Sequence, residues 1–139
     1  MTQHVRDIMT SQLVTVQPQA SVTAVAQKMR DENIGAVLVI EDDELRGLVS
    51  DRDLVVRALA QGGDLEHTSV ASACSGEVVT VSPDEDLDHA VELMREHSIR
   101  RLPVVEEGHP IGIIALGDLA IERDEKSALG DISAAKPNQ

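Results

Sequence analysis

Apolar residues fall at helical spacing twice along this chain. Val22, Val25, Ala26 and Met29 stand at i, i+3, i+4 and i+7, as do Leu87, Ala90, Val91 and Met94, so two helices are predicted, each with one apolar face. Ser21 and Asp86 stand directly before these faces, where an N-cap belongs. β-rich runs surround both helices. A short run at 13–16 or 78–81 leads to Pro18 or Pro83, and two further runs follow each helix, at 36–40 and 47–50 and again at 102–105 and 111–115. Their connections, Glu41-Asp42-Asp43-Glu44 and Glu106-Glu107-Gly108-His109-Pro110, read as turns. A second helix is expected at 51–60, stopped by Gly62-Gly63, and its counterpart at 117–125.

The pattern is a repeat. An offset of 65 residues superposes 5–58 on 70–123 without a gap, and thirteen positions are identical, among them Pro18 with Pro83, Gly47 with Gly112, and Asp53-Leu54 with Asp118-Leu119. Each copy reads β-α-β-β-α, with an apolar sheet face that about 55 residues cannot cover alone. The expected fold is α/β in the α+β sense: two such repeats packed sheet to sheet. The copies are assigned to 1–64, with a linker at 62–69, and to 65–125, leaving a polar tail at 126–139 in which Ala128-Leu129 and Ile132 could form a short docking turn, the minority outcome for a free chain end.

Charge and composition narrow the chemistry. A formal net charge of −13 over 139 residues argues against a nucleic-acid partner, since phosphate binding rests on clustered Lys and Arg. Phe, Tyr and Trp are absent, so a ring ligand would have to lie between aliphatic side chains and be read by backbone groups. No apolar run approaches the ~20 residues of a membrane helix, no secretory segment follows Met1, and a soluble cytoplasmic protein is expected. Cys74 is the single cysteine, and His4, His67, His89, His97 and His109 show no metal-ligand spacing, so no metal site is expected; His89 and His97 are placed on a solvated helix face.

One stretch carries most of the candidate chemistry. Gly47-Leu48-Val49-Ser50-Asp51-Arg52-Asp53-Leu54 climbs a strand and breaks into a helix start bearing a hydroxyl, a guanidinium and two carboxylates. Such an end suits an anion, and a carboxylate in the first turn can accept from two ribose hydroxyls. The plainer reading is a capping box from Ser50 to Asp53. The altered copy, Gly112-Ile113-Ile114-Ala115-Leu116-Gly117-Asp118-Leu119, weighs against it, because the carboxylate persists where the capping hydroxyl has become Ala115. Gly112 and Gly117 are not a phosphate-binding P-loop, since Asp118 follows instead of Lys and Ser or Thr, and no Gly-x-Ser-x-Gly or nucleophile–base arrangement is present. Catalytic residues are not expected.

Together, Val5-Arg6-Asp7-Ile8-Met9-Thr10, Val14-Thr15-Val16-Gln17-Pro18, Ile99-Arg100-Arg101-Leu102-Pro103-Val104-Val105 and the Gly47–Asp53 stretch resemble a stand-alone pair of CBS (cystathionine-β-synthase-type) domains, a Bateman module. The resemblance covers about residues 5–123. It implies pseudo-twofold symmetry and two clefts between the repeats, each able to hold an adenosine-containing ligand such as AMP, ADP or ATP as a regulatory ligand, with no cofactor required. One cleft would gather Ser50, Arg52, Asp53, Thr80, Val81, Arg100 and Arg101; the other, weaker one Thr15, Val16 and Asp118, with Ala115, Gly117 and Gly35-Ala36 where the first has Ser50, Arg52 and Arg100-Arg101. Asymmetric occupancy is the expectation, the second cleft standing empty or taking an uncharged adenosyl group. Arg100 and Arg101 should point to opposite faces of a strand, so that one of the two reaches the cleft. The resemblance further implies a non-enzymatic sensor, a homodimer and an unidentified protein partner. The alternative is a ligand-free dimeric stress or partner-interaction module with vestigial clefts.

Overall fold

The structure, a computed structural model, describes residues 3–74 and 78–123. It is a mixed α+β chain with two small sheets, one of three strands and one of two. Helix α1 (Val5–Ile8) is followed by β1 (Thr15–Val16), α2 (Val22–Glu32), β2 (Ala36–Glu41) and β3 (Glu44–Ser50). The helical stretch after β3 is composite: α3 (Asp51–Asp53) runs on as a π-helical turn (Leu54–Ala58) and a 3-10 turn (Leu59–Gln61). It ends at Gly62 and Gly63, whose φ of 79° and 93° suit glycine. A 3-10 turn (Val70–Ala73) leads to the second copy, α4 (Leu87–His97), β4 (Arg101–Glu106), β5 (His109–Ala115) and α5 (Leu116–Arg123). The expected end of the last helix at Glu125 and the tail at 126–139 lie outside the described residues.

The hairpins form where the turn chemistry asks for them. Asp42 and Asp43 have φ of 53° and 64°, and Glu107 and Gly108 have 52° and 82°, the left-handed pair that a two-residue hairpin needs to match strand twist. Each hairpin carries a one-residue register shift at the same place, between Val39 and Ile40 and between Val104 and Val105.

The short early strands are shorter than their sequence suggests. Only Thr15 and Val16 pair with β2, in parallel, and in the second copy Val81 alone bridges Val104. Proline explains part of the difference: the Leu38 N–H reaches the Val14 carbonyl at 3.1 Å, whereas Pro103, its counterpart 65 residues on, has no N–H to offer Val79.

Chain contacts divide the structure into two compact units that do not coincide with the two copies in sequence. One comprises Val14–Val78; the other joins Met1–Leu13 to the stretch from Val79 onward. In the first, Val22, Val25 and Met29 of α2 pack on Val37, Val39 and Val49, with Leu54, Ala58, Val70 and Ala73 completing the core. In the second, Leu87, Ala90 and Met94 of α4 pack on Leu102, Val104 and Ile114, with Val81, Leu119 and Val5. Each Val, Leu, Ile or Met side chain among these, fully buried, contributes about 1.5–3 kcal/mol, and each Ala less. The predicted helix faces hold except at one position: Ala26 is exposed and Val91 half-buried, because the buried stripe is narrower than four positions per two turns. Val5 of α1 thus belongs to a core built by the other copy's strands, and Thr10 extends β5 by bonding Ile113 in both directions at 2.8 and 2.9 Å.

Both glycines that open the repeated stretch are there for clearance. A Cβ on Gly112 would stand 2.9 Å from the Thr10 carbonyl oxygen and 2.7 Å from the Met9 sulfur, and one on Gly47 3.2 Å from Cys74 Sγ. The second collision is softer, since a thiol can turn aside.

Candidate functional site

Ser50 ends β3 in extended conformation, and α3 starts at the next residue. Its Oγ accepts from the Asp53 N–H at 3.1 Å, and Asp53 Oδ2 accepts from the Ser50 N–H at 2.8 Å. This is the reciprocal capping box. The other Asp53 oxygen lies 3.4 Å from Arg57 Nε, one helical turn on, and the side chain is 20% exposed. Asp53 is therefore fixed at one oxygen and reachable at the other. Arg52 is exposed, and no described side chain pairs with its guanidinium.

In the second copy Asp118 Oδ2 accepts from the Ala115 N–H at 2.9 Å. Half of the capping box survives the loss of the hydroxyl, so the persistence of this carboxylate has a structural cause as well. Its surroundings differ from those of Asp53: burial pushes the Asp118 carboxyl above its usual range, against the opposing bond from Ala115. Glu122 occupies the position that matches Arg57, so sequence supplies no cation there.

Cys74 packs beside this region in the same unit as Asp53. Burial raises its thiol, and the Asp53 charge adds to that, which makes it a poor nucleophile.

The remaining sequence candidates are placed as follows. Val81 is buried, donates to the Pro103 carbonyl at 3.0 Å and accepts from the Val105 N–H at 2.9 Å, so its backbone is committed to the strand bridge. Thr80 is exposed. Arg101 begins β4 half-buried and Arg100 just before it is exposed, its carbonyl accepting from the Leu116 N–H at 2.8 Å. Thr15 and Val16 form β1 and line an open depression of about 830 Å³ between β1, α2 and the tip of the β2–β3 hairpin. Lys28 Nζ donates to the Thr15 carbonyl there at 3.1 Å.

Two charged residues at these places were not singled out by sequence reasoning, Arg57 and Lys28. Arg57 is readable from i, i+4 spacing to Asp53. Both stand out when the copies are compared for charge along their whole length, since their counterparts are Glu122 and Leu93. Among the described residues, no cluster of three or more His, Cys, Asp or Glu could hold a metal ion, and no helix is long and apolar enough to cross a membrane.

A strand-end carboxylate used twice, in two hairpin-and-helix units of one chain, defines a class of protein as well as a site. The CBS domain model matches twice, at residues 5–59 and 70–124. The chain belongs to the CBS-domain family and carries a tandem pair.

The chain is 40% identical over 126 residues to the CBS domain-containing protein YhcV of Bacillus subtilis, covering 91% of this chain and 89% of that protein. It is 32% identical over 130 residues to Hypoxic response protein 1 of Mycobacterium tuberculosis, covering 93% and 91%. A crystal structure of Hypoxic Response Protein I with two coordinated zinc ions superposes with a TM-score of 0.77 at 32% identity, covering 86% of this chain and 98% of that one. The CBS domain pair of MJ0100, in complex with 5′-methylthioadenosine and S-adenosylmethionine, shares the fold with a TM-score of 0.81 at 23% identity, covering 91% and 100%.

Proposed function

We propose that this CBS pair is a non-enzymatic regulatory module that binds an adenosine-containing ligand, AMP, ADP or ATP, and signals by a change in conformation. The observation that carries the reading is the pair of strand-end carboxylates. Asp53 and Asp118 each have one oxygen fixed by a backbone N–H, at 2.8 and 2.9 Å. The second oxygen of Asp118 is left to accept from vicinal hydroxyls such as those of ribose, and that of Asp53, 3.4 Å from Arg57, keeps lone-pair capacity for the same role. The Asp53 side is the better equipped for phosphate, with Ser50 and Arg52 beside it and, as the family resemblance implies, Arg100 and Arg101 of the other copy, whose Thr80 and Val81 the same resemblance assigns to the base. In a chain without aromatic residues a ring would lie between aliphatic side chains, and the ligands of the MJ0100 pair are adenosine compounds. The module is proposed to act in the cytoplasm as a homodimer, with ligand affinity differing between its two conformations.

One observation favours a second reading. Val55, Val56 and Leu59, on the turns after α3, are 54%, 46% and 57% exposed, which suits a module whose business is a protein contact and whose capping boxes are merely structural.

Thermal unfolding with and without AMP, ADP and ATP separates the two. A ligand at 100 times its dissociation constant adds ~2.7 kcal/mol to stability, and Asp53→Ala should remove most of that gain while Asp118→Ala removes little. A melting temperature indifferent to all three nucleotides sinks the sensor and leaves the contact module; equal loss in both variants sinks the asymmetry.

A further inference from the structure

The opening segment of each copy is folded on the other copy. Val5 is fully buried in the core built by the second copy's strands, its N–H donates to the Glu85 carbonyl at 2.9 Å, and the Arg6 N–H donates to the Pro83 carbonyl at 2.9 Å. The Leu87 N–H in turn donates to the Gln3 carbonyl at 3.3 Å, and His4 forms a bridge with Asp86. The counterparts 65 residues on repeat this pattern bond for bond against the first copy. Val70 is fully buried and its N–H donates to the Ala20 carbonyl at 2.7 Å, the Ala71 N–H donates to the Pro18 carbonyl at 3.2 Å, the Val22 N–H donates to the Thr68 carbonyl at 2.9 Å, and Ser69 forms a bridge with Ser21. Were the two copies separate chains, they would be a dimer that has traded segments.

The first of the two segments is the more strongly recognised. Thr10 exchanges both backbone bonds with Ile113, and the Arg6 guanidinium reaches Asp84 at 2.8 Å and Glu106 at 3.2 Å. Its link to the Val14–Val78 unit is slight: Ser11, Gln12 and Leu13, which make no hydrogen bond among the described residues, the first two of them exposed. That crossing, from Thr10 to Val14, spans at most about 14 Å. Release of residues 3–10 therefore breaks contacts in the unit that contains β5, and the same residues of another chain restore every one of them.

We propose that the groove formed by Pro83, Asp84, Glu85, Glu106 and Ile113 takes residues 3–10 from a second copy of the chain in place of its own, so that the homodimer is a segment-exchanged one. The second copy as partner rests on the homodimer proposed above; the groove and its occupant rest on the bonds just described.

Thiol trapping in the full chain tests it. Directly opposed residues of an antiparallel pair that exchange both bonds stand about 5.5 Å apart at Cα, within disulfide reach. In a Cys74→Ser background, Thr10→Cys is placed in one chain and Ile113→Cys in another, and the two are refolded together in a glutathione redox buffer. A covalent heterodimer should form, with a peptide map that joins positions 10 and 113. Persistence of monomers on a non-reducing gel, although one chain carrying both substitutions closes on itself, overturns the exchange. Charge reversal gives a second measurement that needs no thiol. Arg6→Glu in one chain, and Asp84→Lys with Glu106→Lys in another, should each lower Tm by roughly 2–6 °C. Refolded as an equimolar mixture they should return close to the wild-type Tm with the mass of a dimer in light scattering, because each segment meets its opposite charge only in the other chain. Two unchanged transitions in the mixture overturn the exchange. Wild type with the mass of a dimer, beside failure of both experiments, leaves the homodimer standing on another face; the mass of a monomer throughout overturns both.

Discussion

The two units are built from one sequence pattern and differ at the joints. In the unit that contains β5, the opening segment of the chain is clamped: Thr10 pairs with Ile113 in both directions, and Arg6 reaches Asp84 at 2.8 Å and Glu106 at 3.2 Å. In the other unit the matching positions are Ala71, Gln19 and Glu41. There Gln19 bonds Glu41 directly at 3.1 Å, without a cation between them. The early strand goes the opposite way, two paired residues beside Leu38 against a single bridge beside Pro103. The strand-end carboxylates differ as well, Asp53 beside Arg57 and Asp118 desolvated. A repeat conserves positions of backbone and core while its charges drift, and the chemistry of each unit follows the charges.

The largest effect should come from closing the clearance at the repeated glycines. Gly112→Ala drives a methyl group against the Thr10 carbonyl, a backbone atom that cannot turn away. Overpacking of this kind costs about 1–3 kcal/mol, a fall of roughly 3–10 °C in Tm for a chain of this size. Gly47→Ala meets only Cys74 Sγ at 3.2 Å, and its cost should stay below about 1 kcal/mol. Thermal unfolding of the two variants side by side checks this; equal falls would show the two clearances to be alike.

Next in size is the cap. Ser50→Ala removes the acceptor for the Asp53 N–H and should cost about 1 kcal/mol. Ala115→Ser supplies the second copy with the hydroxyl it lacks and should gain a few tenths of that. Measured by chemical denaturation, opposite signs sharpen the contrast between the units, whereas a loss in both means that α5 starts in a geometry no hydroxyl can cap.

Much of this was legible in the sequence, and the failures have distinct causes. Hairpins and helix faces were readable because their determinants are local: two turn residues able to take positive φ, and apolar residues every three to four positions. Ala26 was misjudged because alanine fits a buried or an exposed face with little difference in energy. The length of the early strand depends on a partner, since Val78 and Val79 have the same β propensity whether or not Pro103 can donate to them. The membership of α1 in a unit with the second copy's strands is a long-range fact that no local pattern encodes. At the candidate sites, motif positions located Ser50, Asp53 and Asp118. Lys28 and Arg57 lie outside the motif; Arg57 follows from its i, i+4 spacing to Asp53, whereas the bond from Lys28 to the Thr15 carbonyl joins α2 to β1 and only folding brings it about.

The smallest expected effect, and the one that most directly separates the two carboxylates, is a pH dependence. Asp118 has its carboxyl raised by burial. A group whose folded pKa exceeds its unfolded one, about 3.9 for Asp, gives its full contribution to stability below the unfolded pKa and loses it as pH rises through the folded pKa. Ionised Asp118 is thus a cost that wild type carries at neutral pH and sheds in acid. Asp118→Asn keeps an amide oxygen to accept from the Ala115 N–H and cannot ionise. The Tm of the variant relative to wild type should rise with pH from about 4 upward, then level off once Asp118 is fully charged. A difference that stays flat over that range would mean that solvent reaches Asp118 freely enough to remove the contrast with Asp53.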